Sequence, residues 1–114
     1  MPLQVIVGPI IQAGQSLSDE LDVSAGKMVR ITTPNSWDPI APVTFQISTD
    51  GQLYNDLFMP DGREVSIVCN GLNRAIVVPP AFGAAIAFIK FRSGTSLRPV
   101  KQNALRDFAV AIEI

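Results

Sequence analysis

An alternation of apolar and polar residues that starts at Val43 and leads into the turn signal Asp50-Gly51 constrains the fold of this chain more than any other feature. The segment reads Val-Thr-Phe-Gln-Ile-Ser-Thr-Asp-Gly and ends in Asp-Gly, a dipeptide typical of turns between antiparallel strands. Because successive side chains on a strand point to opposite faces, Val43, Phe45 and Ile47 share one face. The pattern predicts an antiparallel sheet with one apolar face packed on a core.

Short runs rich in Val, Ile, Phe and Thr recur along the rest of the chain, separated by turn signals. The length of 114 residues suits one domain, and a hydrophobic fraction of 47% supports a packed core. We therefore predict an all-β protein: a single antiparallel β-sandwich over residues 1–114, jelly-roll-like, with about eight strands and little or no helix. The predicted strands are 3–7, 17–23, 28–33, 43–49, 64–69, 75–78, 85–92 and 108–114.

Three details of this prediction concern particular segments. Residues 1–13 are apolar and interrupted by Gly8-Pro9, so they could form an N-terminal arm that packs on a neighbour, or an edge strand of the same sandwich. The stretch 51–62 lies between two Asp-Gly turns and could add a short strand. Alternation over 28–33 predicts that Val29 and Ile31 face the core and that Met28 faces outward.

The charge of the chain is small overall but unevenly distributed along the sequence. A net charge of −1 argues against nonspecific binding to nucleic acid or to an acidic membrane surface. Residues 1–62 carry two basic and seven acidic side chains, a net charge of −5, whereas 63–114 carry seven basic and three acidic ones, a net charge of +4. Either the two halves meet charged partner surfaces, or they interleave in the fold and the difference averages out.

The residue types argue against an enzyme. The chain has no histidine, which removes the usual general base and the commonest metal ligand. Its carboxylates show neither a glycosidase-like pair nor the ligand spacing of a calcium loop, and its glycines are scattered singly. We predict no catalytic residues, no metal and no cofactor. The single cysteine, Cys69, is in phase with apolar neighbours and is predicted to be a small buried residue.

Two loops stand out as candidate contact regions. Residues 34–42 hold three prolines and the only tryptophan, Trp37, which could cap the end of the sandwich, contact a protein or stack on a sugar. Residues 93–103 form a long polar connection that carries Arg98 and Lys101, and loops of this length are uncommon unless they are functional or packed on something.

Four segments, taken in order, resemble a group of small tailed-bacteriophage proteins. These are 14–22, 30–37, 44–51 and 92–100, of which the strand and turn at 45–51 and the loop at 92–100 are the most specific. Proteins of this group look like virion-associated β-sandwich proteins that decorate capsids or form parts of head fibres. The resemblance spans roughly residues 14–112 and implies a structural protein of the phage particle, assembled in the host cytoplasm.

The expected function is therefore that of a non-enzymatic capsid decoration or cement protein. Its partners would be the major capsid protein or other virion proteins, and further copies of itself on the particle. Neither nucleic acid nor a membrane is an expected partner. The alternative is a glycan- or receptor-binding module of a head fibre or tail, for which Trp37 and Tyr54 would supply the stacking rings. The candidate protein-contact residues are Leu3, Val5, Ile6, Val7, Trp37, Arg92, Arg98 and Lys101.

Overall fold

Eight antiparallel strands form two four-stranded sheets in the computed structural model, which describes residues 2–79 and 86–114. The described residues contain no helix, and the predicted all-β sandwich is confirmed. The strands are β1 (Leu3–Ile11), β2 (Leu21–Asp22), β3 (Lys27–Thr32), β4 (Val43–Ser48), β5 (Asn55–Asp56), β6 (Ala75–Val77), β7 (Phe88–Ser93) and β8 (Arg106–Glu113).

The order of the strands is that of a jelly roll. One sheet, here sheet A, has the order β1-β8-β3-β6, and the other, sheet B, has the order β2-β7-β4-β5. The antiparallel pairs β1·β8, β2·β7, β3·β6 and β4·β5 make one double-stranded ribbon, which rolls up so that β3·β8 and β4·β7 pair as well. Early and late strands are neighbours in both sheets, so the two oppositely charged halves of the chain interleave.

Some predicted strand boundaries differ from the observed ones. Residues 64–69 form only isolated bridges, at Glu64 and Ile67, whereas the short strand β5 lies inside 51–62. Residues 17–23 contain only the two-residue strand β2. The Ser18 hydroxyl accepts a hydrogen bond from the Phe91 amide at 2.8 Å and so interrupts the backbone ladder with β7. The predicted strand 85–92 begins outside the described residues, and its residues 88–92 belong to β7.

A β-bulge in β3 overturns the predicted orientation of Met28. Met28 lies opposite Ile112 of β8, and Arg30 lies opposite the preceding residue, Ala111, so one extra residue is inserted at Val29. The insertion shifts the alternation and turns Met28 into the core, where it is buried. The prediction that Met28 faces outward was wrong because a bulge is not visible in the apolar pattern.

Residues 3–11 form the edge strand β1 and not a free arm. They pair with β8 along their length, and a bulge between Val7 and Ile10, at Gly8-Pro9, shifts the register by one residue. The shift turns Ile11 into the core, where it is fully buried, and Ile6 packs against the same cluster. Of the two interpretations of the N-terminal segment, the edge strand is confirmed.

Four aromatic rings connect the two sheets through the core. Phe45 and Phe91 of sheet B meet edge to face at 5.1 Å, and Phe91 meets Phe108 of sheet A at 4.9 Å. Trp37 continues the series against Phe108 at 5.7 Å, and its indole nitrogen donates to the Ala41 carbonyl at 2.9 Å. The loop 34–42 therefore folds back over the end of the sandwich, and the capping interpretation of Trp37 is confirmed.

A buried arginine holds this loop in place. The guanidinium of Arg106 donates to the Ser36 hydroxyl at 2.7 Å, to the Asp38 carbonyl at 3.0 Å and to the side-chain oxygens of Gln102 and Asn103 at 3.0 and 2.8 Å. These acceptors are neutral and come from two loops. Arg106 thus joins the Trp37 loop to the connection that precedes β8.

Candidate contact surface

The outer face of sheet A, which points away from sheet B, presents mainly apolar side chains. Directly paired residues of neighbouring strands point to the same face, so the register defines the rows of side chains across it. One row runs from Val5 through Ala111 and Arg30 to Val77. The next rows are Val7, Ala109, Thr32 and Ala75 on one side, and Leu3, Glu113 and Lys27 on the other.

The large apolar side chains of this face are open to solvent. Leu3, Val5, Val7 and Val77 are 64, 57, 76 and 81% exposed. Between Val5 and Val77 lie Ala111, which is already buried by its neighbours, and the exposed Arg30. Exposed large apolar side chains grouped on one sheet face make that face a candidate site of contact with another molecule.

The outer face of sheet B is different because the chain itself covers it. Thr44, Ser48 and Arg92 point to that side and are nonetheless buried. The Thr44 hydroxyl donates to the Gly94 carbonyl at 2.8 Å, and the loop that contains Gly94 lies over this face. The predicted alternation in β4 is observed, but loops cover part of its polar face, on which Gln46 is half-buried, and the outer face of sheet A is the more open of the two.

The structure brings three of the predicted contact residues together on the outer face of sheet A. Leu3, Val5 and Val7 alternate along β1 and form one exposed row at the edge of the sheet. Ile6 points to the opposite side and packs against the core. Val77 belongs to the same outer face but was missed by sequence reasoning, since only the register of β6 with β3 shows where it points.

Arg92 is an interior residue. Its side chain is 6% exposed, and its guanidinium donates to the Asp56 carboxylate at 2.8 Å and lies 3.9 Å from that of Glu64. Its Nε atom is buried without a partner among the described residues. The side chains of Arg92 and Trp37 therefore leave little surface for a partner. Capping by Trp37 was one of the interpretations that the sequence offered, whereas no sequence pattern indicated the ion pair of Arg92.

Arg98 and Lys101 are exposed and belong to the connection between β7 and β8, not to β1. Both follow Gly94 in the loop over sheet B, and the amide of Ser96 in this loop donates to the Glu64 carboxylate at 3.1 Å. These two cations and the apolar row of β1 are therefore two separate candidate regions.

Tyr54 is held in place at the outer side of sheet B. Its hydroxyl donates to the Glu20 carboxylate, and the Lys90 ammonium lies 4.5 Å from the centre of its ring. Burial, followed by the hydrogen bond and the charge of Glu20, raises the pKa of Tyr54 to about 12. The side chain of Tyr54 is therefore held by Glu20 and Lys90, and it does not form one sugar-stacking site together with Trp37.

Two acidic residues of the turns, Asp50 and Asp61, have local structural roles. Asp50 accepts hydrogen bonds from the amides of Gln52 and Leu53 and from the Ser48 hydroxyl, and these bonds lower its pKa. Asp61 pairs with Arg63 at 2.7 Å. Within residues 2–79 and 86–114, no group of three or more Cys, Asp or Glu side chains is placed to hold a metal ion.

Two further observations bear on the chemistry of the chain. Cys69 is buried as predicted, and burial raises the pKa of its thiol. Among the residues that the structure describes, no helix has the length and apolar character needed to cross a bilayer.

A polar pocket of about 260 Å³ lies at one end of the outer face of sheet A. Hydroxyl, amide and carboxylate groups of Thr32, Asn35, Asn73 and Asp107 line it, beside the apolar side chain of Val7. No local sequence pattern indicates this pocket, because its residues come from four separate segments.

Compared with known proteins, the chain matches no family model and shows no significant similarity to a curated sequence. The resemblance to small tailed-phage proteins therefore stays a prediction from the sequence, as do the partners and the location that it implies.

Proposed function

We propose that this chain is a non-enzymatic structural protein of a bacteriophage particle that decorates the capsid by binding the major coat protein. The observation that carries the proposal is the open apolar outer face of sheet A. Because loops cover part of the outer face of sheet B, the outer face of sheet A is the more open sheet surface for adhesion. Jelly rolls also recur in viral capsid proteins, which supports the proposal only by analogy of fold.

Binding would remove the exposed side chains of Leu3, Val7 and Val77 from water. Each square ångström of apolar surface buried contributes about 25 cal/mol, less the cost of ordering the partners. Lys27 and Glu113 lie at the rim of this face and supply charged groups that would orient a bound partner. The surface needs no bound cofactor or moving part for this activity.

The direct test uses phage particles assembled without the protein. Purified protein is added to these particles, and its occupancy is measured by gel densitometry and by electron cryomicroscopy. The variants Val77→Glu and Val7→Lys place a charge on the outer face, and each should raise the apparent Kd about tenfold or more, equivalent to about 1.4 kcal/mol.

The matched control is Leu53→Glu. Leu53 is 68% exposed and belongs to the turn between β4 and β5 of sheet B, so this variant adds the same charge away from both proposed contacts and should bind normally. If both outer-face variants fill the particle as the wild type does, the outer face of sheet A is not the capsid-binding surface.

Arg98 and Lys101 offer a second, electrostatic contact. Reversal of both charges in Arg98→Glu/Lys101→Glu should slow association with the particle, most clearly at low salt, because charges at a rim act mainly on the association rate. An association rate that is unchanged at low salt would remove this loop from the proposed interface.

A glycan-binding module remains the second candidate function, on the strength of the polar pocket beside Val7. Its hydroxyl, amide and carboxylate groups are the types that hold sugar hydroxyls. A glycan array with the wild type and with Asp107→Ala tests this candidate. Binding that is lost in the variant would support it, and the absence of any bound glycan would count against it.

A further inference from the structure

The outer edge of β1 carries backbone groups that have no partner among the described residues. The Ile114 amide donates to the Pro2 carbonyl at 3.0 Å, which fixes the phase of the ladder between β1 and β8. In an antiparallel pair, alternate residues direct both backbone groups to the partner strand. Residues 4 and 6 therefore bond to β8, while Leu3, Val5 and Val7 direct their N–H and C=O groups to the open edge.

Farther along β1, other residues of the chain cover the same outer edge. At Ile10, the amide donates to the Asp19 carboxylate at 2.8 Å, and the carbonyl accepts from the Asp19 amide at 3.2 Å. The open part, residues 3–7, contains neither a charged residue nor a proline. It thus lacks the usual devices that protect an edge strand from pairing. The other edge strands, β2, β5 and β6, have only two or three residues.

We propose that β1 pairs antiparallel with β1 of a second copy of this chain, about a twofold axis that passes through Val5. In this register Val5 lies opposite the partner's Val5, and Leu3 lies opposite the partner's Val7. The residues that meet are those whose backbone groups point outward, and each such pair exchanges two hydrogen bonds. The two sheets A then join into one continuous eight-stranded sheet.

A second copy fits this edge because the open segment is complementary to itself. In the proposed register the paired segment of each copy ends before Ile10, where Asp19 closes the edge. Both ends of the paired segment are thus limited in the same way in both copies, and no like charges face each other. This is the isologous geometry of a closed dimer, which leaves no open end for further addition.

The pairing also joins the outer faces of the two copies. Leu3, Val5 and Val7 of each copy lie on the outer side of the sheet, so the dimer presents one apolar surface of twice the width. The inference does not rest on the proposed function, since it concerns the purified protein alone. The paired edge is short, and we expect a weak dimer with a Kd on the order of 10–100 µM.

Sedimentation equilibrium and small-angle X-ray scattering up to about 1 mM protein test the proposal. The informative variant is Val5→Pro, which removes an outward N–H but no hydrogen bond to β8. It should weaken dimerisation about tenfold or more, whereas Val5→Ala keeps the N–H and should retain it within about threefold. Thermal melting checks that both variants fold.

A charge exchange tests the register and covers the case in which the proline variant does not fold. The Val5→Lys and Val5→Glu proteins should each be monomeric, because the twofold axis places the two like charges opposite each other. An equimolar mixture should form a heterodimer. A wild type that is monomeric at about 1 mM, a trimer, a dimer unaffected by Val5→Pro in a folded protein, or a mixture that stays monomeric would each overturn the proposal.

Discussion

Phe45 is the residue whose truncation should most weaken the sandwich. Its side chain is fully buried, and its ring meets Phe91 edge to face at 5.1 Å. Phe→Ala in a core costs about 3–5 kcal/mol, and we expect about 4 kcal/mol for Phe45→Ala. A domain of this size is stable by only about 5–15 kcal/mol in total, so the variant should remain folded at 25 °C but with a small margin.

The expected change in melting temperature follows from the length of the chain. An unfolding entropy of about 2.1 cal/mol/K per residue amounts to about 0.24 kcal/mol/K for 114 residues. A loss of about 4 kcal/mol then lowers Tm by about 17 °C. Circular dichroism gives Tm directly, and the fluorescence of Trp37, the only tryptophan, reports the same transition from the core.

The matched control for this experiment is Gln46→Ala. Gln46 is the next residue on β4, points to the opposite face and is only partly buried, so its truncation should cost less than about 1 kcal/mol. If Phe45→Ala lowers the free energy of unfolding by less than about 1 kcal/mol, or if both variants cost the same, the assignment of the two faces of β4 is wrong.

Three further predictions concern the loops and the buried groups. Arg106→Met should lower the free energy of unfolding by about 1.5–3 kcal/mol, because it removes charge-assisted hydrogen bonds. It should also shift the fluorescence emission of Trp37 to longer wavelength as the loop 34–42 loosens. An unchanged spectrum would show that Arg106 does not hold this loop in place. The pKa of Asp50 is lowered in the folded protein, so its contribution to stability is full above the pKa of the unfolded chain and is lost as the pH falls through the folded pKa. The loss of Tm in Asp50→Ala should accordingly shrink between about pH 5 and pH 2, and a constant difference would argue against that hydrogen-bonded carboxylate. Cys69 should react with Ellman's reagent at pH 8 at least about tenfold more slowly in the native protein than in urea, and equal rates would show that the thiol is accessible.

The parts of the fold that follow from local alternation were predictable from the sequence. Phe45, Phe108 and Val110 occupy the core because each lies in an uninterrupted run with period two. Where the period breaks, the prediction fails, as at Met28, since a bulge inserts a residue without changing the apolar composition of the strand. Residues 64–69 alternate like a strand, but their bridges to other segments are too few to make one.

The contact surface was only partly predictable. The row of Leu3, Val5 and Val7 follows from alternation, but whether those residues form an arm or an edge depends on pairing with β8, which is about a hundred residues away in the chain. The burial of Arg92 depends in the same way on Asp56, which a distant segment supplies. Properties that depend on such long-range pairs cannot be predicted from a local sequence pattern.

The position of β8 between β1 and β3 has a consequence for synthesis of the protein in the cell. Both β1 and β3 pair with β8, so sheet A has no continuous centre until residues 106–113 have left the ribosome. Until then the apolar residues of β1 have no partner strand on either side, although they are translated first. The nascent chain therefore passes through an interval in which both edges of β1 are open, and a chaperone that binds this segment would protect it for that interval.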